Sequence, residues 1–350
     1  MIQYRRLGRT DLRVSSICLG TMTWGQQNSE PEGHAQLDRA LAAGVNFIDT
    51  AEMYPIPPKA ETQGATERII GNWLVARGGR DRIVLASKVV GRNGGAWYRA
   101  GGIPTRLDRA QITAAVEASL TRLRTDYLDL YQLHWPDRAM PGFGAAGNAY
   151  RHLDDPGAIP IEETLGVLGD LVAAGKVRHV GLSNETAWGT MRFLAASDGG
   201  SGPRVVSIQN AYNLINRSFE PGLAEIAQRE DVGLLAYSPL GQGYLTGKYQ
   251  DGARPPGARS TLFNRGQRYE KPGAAAAIGA YLALARELGL DPVHLALAFV
   301  TSRPFVTATI IGATSLAQLD TAMASTAVTI TPQIEAAVDA LHQLHGNPAP

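Results

Sequence analysis

Asp49, Tyr54, Lys88 and His134 combine four kinds of side chain that proton-transfer chemistry uses. Three of them stand behind short apolar runs: Asp49 after Phe47 and Ile48 in NFIDTAEMY, Lys88 in RIVLASKV, and His134 in LDLYQLHWP. Tyr54 lies beyond Asp49, where prolines at 55, 57 and 58 forbid a helix. A carboxylate behind two apolar residues needs a partner if it is buried. Together the four suit carbonyl reduction. A hydride delivered to a carbonyl carbon leaves negative charge on oxygen, so a proton or hydrogen bond must arrive there. A phenol can supply it, although its free pKa of about 10 makes it a reluctant donor. A nearby ammonium favours the phenolate, each unit of lowering being worth about 1.4 kcal/mol. In this reading Tyr54 donates, Lys88 tunes it, Asp49 keeps Lys88 charged and in place, and His134 orients the carbonyl oxygen or passes a proton. Taken singly, each has a more ordinary explanation. A strand-end lysine is usually solvated, a lone histidine is usually a hydrogen-bonded core residue, and a loop tyrosine usually packs.

For these residues to meet, successive strands must end at one face. The chain repeats a couplet of short apolar run and one-sided helix: 18–21 with HAQLDRALAAG, NFIDTA with TERIIGNWLVARG, RIVLASKV with DRAQITAAVEASLTRL, LDLYQLH with IEETLGVLGDLVAAG. HVGLSN, VVSIQNAY, GLLAYSPL and TATIIGA continue the series, each followed by a helical pattern. Eight couplets predict a parallel sheet with helices outside, and eight is the number that closes a (β/α)8 TIM barrel. An open doubly wound sheet is the alternative, because periodicity does not report closure. The expected fold is thus a single α/β domain over residues 1–350. Residues 1–17 read as a β-hairpin turning at Gly8–Asp11. Two helices fall outside the count: Pro292–Ser302, with Asp291 as cap and proline first, and the stretch TPQIEAAVDALHQLHG. Connections 89–107, 135–160 and 239–272 are too long to be turns; in a barrel they gather over the strand ends and are expected to cover a substrate.

Composition excludes several classes. Lysine plus arginine (33) nearly balances aspartate plus glutamate (32), a formal net charge of +1, so no overall field invites nucleic acid or an anionic membrane. Cys18 is the one cysteine and cannot close an intramolecular disulfide. The opening MIQYRRLGRTDL has no apolar signal core, and no run is long and apolar enough to span a bilayer. A cytoplasmic protein without a metal is expected, since no cysteine pair or His-x-His stands at a strand end.

The stretches NFIDTAEMY, LASKV and LYQLHWP resemble the signatures of the aldo-keto reductases, and the resemblance extends over essentially the whole chain. EMYPIPP, ETQG, IGNWL, VGLSNETAWGTMRFL, IQNAYNLINRSFE, LTGKY, GARSTLF, DPVHLALAFV and the final PAP resemble a bacterial branch of that superfamily. The resemblance implies a barrel bearing an Asp–Tyr–Lys–His tetrad at Asp49, Tyr54, Lys88 and His134, and a nicotinamide cofactor lying across its mouth. Ser183, Asn184 and Gln209 are then expected to hold the carboxamide, Tyr237 to stack on the nicotinamide, and the backbone of Ser238, Pro239, Leu240 and Gly241 to approach the pyrophosphate; Thr21 joins this set. For Asn184 the alternative is a helix N-cap.

At the adenosine end Gly312, Ala313, Thr314, Ser315 and Gln318 fit a looser variant of the family pattern, while Thr321 and Ala322 replace its usual Glu–Asn pair. Ser315 and Gln318 are the expected partners of a 2′-phosphate, joined by Lys248 or Arg265; those two cations have a solvated loop as the alternative. NADP(H) is the expected cofactor and NAD(H) the alternative.

GFGAAG at 142–147 spells GxGxxG but opens no helix, and Gly247–Lys248 lacks the upstream glycine of a P-loop; both read as chance matches. The sequons at Asn184 and Asn216 carry no meaning in a cytoplasmic protein. Trp24, Trp97, Tyr98 and Trp135 are candidates for an aromatic substrate pocket or for loop packing, and the substrate class expected is a small-molecule aldehyde or ketone with an apolar body. A nucleotide-responsive regulatory subunit with slow turnover is the second functional class, because related branches include such subunits. A Schiff-base enzyme built on Lys88 is the third, disfavoured because pairing with Asp49 keeps the amine protonated. The sequence does not indicate an oligomeric state.

Overall fold

The computed structural model describes residues 2–92, 95, 97–140 and 149–350. The chain opens with the antiparallel hairpin β1 (Tyr4–Arg6) and β2 (Arg13–Ser15), Tyr4 facing Ser15. Eight parallel strands follow: β3 (Ile17–Gly20), β4 (Phe47–Asp49), β5 (Val84–Val89), β6 (Leu128–Leu133), β7 (Val177–Ser183), β8 (Val205–Ala211), β9 (Gly233–Tyr237) and β10 (Val306–Ile311). They pair in chain order, and β10 returns to β3 with Thr309 beside Ile17 and Ile311 beside Leu19. That last ladder closes the barrel and removes the open-sheet alternative.

The helices are α1 (Glu30–Ala42), α2 (Ala65–Arg77), α3 (Arg109–Leu123), α4 (Ile161–Ala173), α5 (Ala187–Asp198), α6 (Glu225–Arg229), α7 (Arg259–Phe263), α8 (Ala274–Glu287), α9 (Pro292–Ser302), α10 (Leu316–Ala324) and α11 (Pro332–His345). Two differ from the expected spans. Helix α1 starts earlier than His34, because Ser29 and Glu32 form a capping box and Pro31 fits the first turn. The helical pattern expected after VVSIQNAY begins as a π turn at Glu220–Ala224 before tightening into α6.

Alternation along the strands decides what enters the barrel. Phe47, Val84, Ala86 and Leu130 point inward, where they pack with Cys18, Leu235 and Ala308, while Ile48, Leu85 and Tyr131 join the larger core shared with the helices. The hairpin plugs the bottom: Leu7 and Val14 belong to the inner cluster. Gly8 sits at φ 55, and a Cβ there would lie 2.5 Å from the Val206 carbonyl oxygen, so the turn presses directly on the barrel floor. The hairpin therefore closes the N-terminal end of the barrel. Toward the C-terminal end the strands deliver the polar side chains of Asp49, Lys88, Gln132 and Gln209 inward.

Candidate active site

Asp49 ends β4 and turns inward, two positions beyond Phe47. Its Oδ2 accepts from Lys88 Nζ at 2.6 Å, and its Oδ1 accepts from Gln209 Nε2 at 2.9 Å and Gln132 Nε2 at 3.2 Å. Lys88 is wholly buried; its ammonium also donates to the Thr50 carbonyl at 2.8 Å and to the Tyr54 hydroxyl at 3.3 Å. A buried charge survives only with such partners. Outside the barrel, Ser87 donates to Glu67 at 2.6 Å and Glu67 pairs with Arg122 at 2.7 Å, tying β5 to α2 and α3. Tyr54 is carried by the loop after β4, its ring 5.7 Å from the His134 imidazole in an edge-on arrangement. Asp49, Tyr54, Lys88 and His134 thus form one constellation, as three strand ends and the loop beyond one of them suggested.

The electrostatics correct one expectation. Burial raises the Tyr54 pKa, and the pull of Lys88 in the other direction does not overcome it, so the phenol lies above its ordinary value rather than below. For Lys88, burial acts to lower the pKa, yet Asp49 and Tyr54 outweigh it and the ammonium is held more firmly than usual. A Schiff-base role would need the opposite shift. Burial and then Lys88 push His134 well below its ordinary value, so the imidazole is neutral, and its Nδ1 has no hydrogen-bond partner. Of the two roles expected for His134, orientation fits a neutral ring; relaying a proton as an imidazolium does not.

A cleft of about 1220 Å³ opens over these residues. It extends from Tyr54, His134 and Trp135 past Ser183, Asn184, Gln209 and Tyr237 to Gly312, Thr314 and Gln318. Thr21, Ser238, Pro239, Leu240, Lys248 and Arg265 also line it. Asn184 is at φ 52 and is not an N-cap; Thr186 caps α5 instead. The Asn184 side chain donates to the His134 carbonyl at 2.8 Å and accepts from the Tyr237 hydroxyl at 2.7 Å. Ser183 Oγ donates to the Gln209 carbonyl at 2.7 Å. These residues are cross-linked at the mouth before any ligand arrives. Gln27 Nε2 reaches Gly257 O at 2.9 Å, strapping the β3 loop to the β9 loop beside the cleft.

Other expected residues fall elsewhere. Trp24 is fully buried, with its indole donating to Gln36 Oε1 at 3.2 Å, because the loop after β3 folds back and turns the ring under α1 and α2. Trp97 is 43 % exposed, tilts against Tyr98 and does not line the cleft. Gly241 and Ser315 are not among the lining residues either. Gly241 is buried near Tyr269, and Ser315 caps α10 by accepting from the Gln318 amide. Of the three long connections, the one after β9 supplies most of the wall and the one after β6 contributes Trp135. The connection after β5 instead anchors the site: Arg99 grips Glu52 at 2.8 and 2.9 Å. GFGAAG lies outside the described residues. Among the described residues no group of three His, Cys, Asp or Glu side chains is gathered for a metal, and no helix is long and apolar enough to cross a membrane.

Sequence reasoning passed over Gln132, Glu52, Arg259 and Arg268. Gln132 was detectable, being a polar residue at an inward position two before His134. Arg259 lines the cleft with a buried, unpartnered Nε, and burial, followed by the nearby Arg265, lowers its pKa. An anion arriving there relieves both penalties.

The aldo/keto reductase family profile matches residues 16–343. Protein tas of Escherichia coli is 50 % identical over 351 residues, covering all of both chains. The uncharacterized oxidoreductase YrpG of Bacillus subtilis is 33 % identical, covering 91 % of this chain and 89 % of its own. A probable voltage-gated potassium channel subunit beta of Arabidopsis thaliana is 29 % identical over the same shares.

Proposed function

This chain belongs to the aldo/keto reductase family, and from that premise we propose that it is an NADPH-dependent reductase of aldehydes or ketones, with Tyr54 as the proton donor. The observation that carries the reading is the Asp49–Lys88–Tyr54 relay: one buried ammonium bonded at once to a carboxylate and to the phenol at the base of the cleft. A reduced nicotinamide, when bound, supplies hydride to the carbonyl carbon. Tyr54 gives its hydroxyl proton to the carbonyl oxygen, yielding the alcohol, and Lys88 stabilises the phenolate left behind until solvent reprotonates it. Asp49, fixed by Gln132 and Gln209, keeps Lys88 aimed at Tyr54. His134, neutral and with Nδ1 lacking a donor, presents Nε2–H to the same oxygen, because a buried orphan acceptor is tolerated better than a buried orphan N–H.

The residues present fit the cofactor. Ser183 and Asn184 offer polar atoms to a carboxamide, with the Gln209 carbonyl oxygen joining them because its nitrogen is committed to Asp49. Tyr237 offers a ring face held at its hydroxyl, and the 238–241 turn offers backbone to the pyrophosphate. Lys248, Arg259 and Arg265 supply positive charge for phosphates, with Gly312, Thr314 and Gln318 toward the adenosine; this charge favours NADPH over NADH. Gln318 Oε1 closes on the Thr314 amide at 2.9 Å, leaving its Nε2 as the donor. Met22, Ile56 and Trp135 give the substrate end an apolar wall, which suits a small carbonyl compound with an apolar body. A cytoplasmic location belongs to the same proposal. Steady-state assay with a panel of aldehydes and ketones tests the reading: turnover confined to small hydrophilic carbonyls sinks the substrate class. The channel-subunit relative favours a second reading, a nucleotide-responsive subunit, which predicts NADPH binding with negligible turnover across the panel.

A further inference from the structure

The cleft wall contains a cation held from behind by a segment remote in sequence. Arg268, on the long β9 connection, lines the cleft, and its Nε donates to the Pro350 carbonyl at 3.2 Å. Burial acts to lower the Arg268 pKa, and the nearby Tyr237 and Tyr269 phenols more than offset it. Tyr237 in turn donates to Asn184 Oδ1, and Asn184 donates to the His134 carbonyl. Residues 347–350 are fastened to the body of the protein: Asn347 Oδ1 accepts from the Arg217 amide, the Ala349 amide donates to the Ile215 carbonyl at 3.2 Å, and the Ala349 side chain is fully buried. Arg217 is itself pinned by Glu220 and Asp339, each at 2.7 Å.

We propose that residues 347–350 act as a strut that positions Arg268 for cofactor binding. The argument is one of pre-organisation. An arginine has many rotamers, and a fixed acceptor behind it removes the ordering cost that binding otherwise bears. The Tyr237 hydroxyl is held separately, by its bond to Asn184. The inference rests on the cofactor reading above, but its test separates the two.

NADPH is titrated, by intrinsic fluorescence, into the full chain, Arg268→Gln, a variant ending at Gly346, and the combination. If the strut works through Arg268, each single change weakens NADPH about tenfold and the combination weakens it no further. Affinity within twofold of the parent for the shortened chain overturns the proposal, and so do additive losses of about a hundredfold, since both mean that the segment and Arg268 act independently. Hydrogen exchange on the cofactor-free Arg268→Gln protein gives a second readout that needs no shortened chain. The coupling is reciprocal, so the Ala349 amide must lose protection; unchanged protection contradicts the strut. Failure of the parent chain to bind NADPH counts against the cofactor reading, and Ala349 exchange then still decides whether Arg268 and the segment are coupled.

Discussion

A phenol pushed above its ordinary pKa is a better reservoir of protons than a poised one, and this sets the behaviour of Tyr54. The reduction rate is predicted to be flat through neutral pH and to fall only above about pH 10, as the phenol ionises. A kcat profile in the reductive direction checks this; a decline already complete near pH 8 contradicts it. Tyr54→Phe keeps most of the ring packing but removes the proton, and should lower kcat by about 10²-fold or more with NADPH affinity nearly unchanged. His134 makes a separate prediction about stability. Its folded-state pKa is lowered, so its contribution is complete above the unfolded value near 6.5 and is lost as pH falls below it. His134→Gln should therefore lose less Tm than the parent between about pH 7.5 and pH 5. An equal loss in both means that other groups govern the acid limb. The four candidate residues were legible because Asp49, Lys88 and His134 each end an apolar run, and Tyr54 follows Asp49 on a loop that prolines keep from being a helix. Trp24 was misread because a ring's direction depends on how its loop folds back, which the spacing of residues does not record.

Elements place these residues through contacts that carry no local signal. The loop bearing Tyr54 is held by Glu52, which is buried, accepts from the Val90 amide at 2.7 Å and binds Arg99 through both oxygens. Arg99→Met leaves an unpaired buried carboxylate beside Tyr54 and should cost about 3–5 kcal/mol of stability, read from urea unfolding, with kcat falling as the loop loosens. A cost below about 1 kcal/mol shows that Glu52 finds water instead. Helix packing has its own constraint. A Cβ on Gly71 would lie 2.2 Å from the Arg122 carbonyl oxygen, so Gly71→Ala should force α2 from α3 and destabilise by about 1–3 kcal/mol. The strand–helix couplets were visible as periodicity, and Asp291 with Pro292 marked α9 at its observed start. The start of α1 was missed because the Ser29–Glu32 box precedes the first strongly apolar turn. The pairing of Arg99 with Glu52 was invisible, since two charges 47 positions apart declare no contact.

At the scale of the whole molecule the fold separates stability from chemistry. The hairpin and inner apolar layer close one end of the barrel, and the linked side chains of Asp49, Lys88, Gln132 and Gln209 lie toward the other, beneath a cleft larger than one small substrate requires. Barrel topology was legible in the repeat of eight couplets; closure became certain only with the ladder between β10 and β3. The cleft wall was partly legible. Lys248, Arg259, Arg265 and Arg268 all line the cleft from one long connection whose path no periodicity describes, and only the first and third had drawn notice in the sequence. The central claim is that this cleft binds NADPH and passes its hydride to a carbonyl with Tyr54 supplying the proton. The most direct measurement is a single turnover: protein saturated with NADPH is mixed with an aromatic aldehyde and loss of NADPH absorbance is followed for the parent and for Tyr54→Phe. The account predicts rapid oxidation of the bound NADPH by the parent and a rate about 10²-fold or more lower for Tyr54→Phe. Equal rates in the two proteins, or no oxidation by a parent that binds NADPH, contradict it.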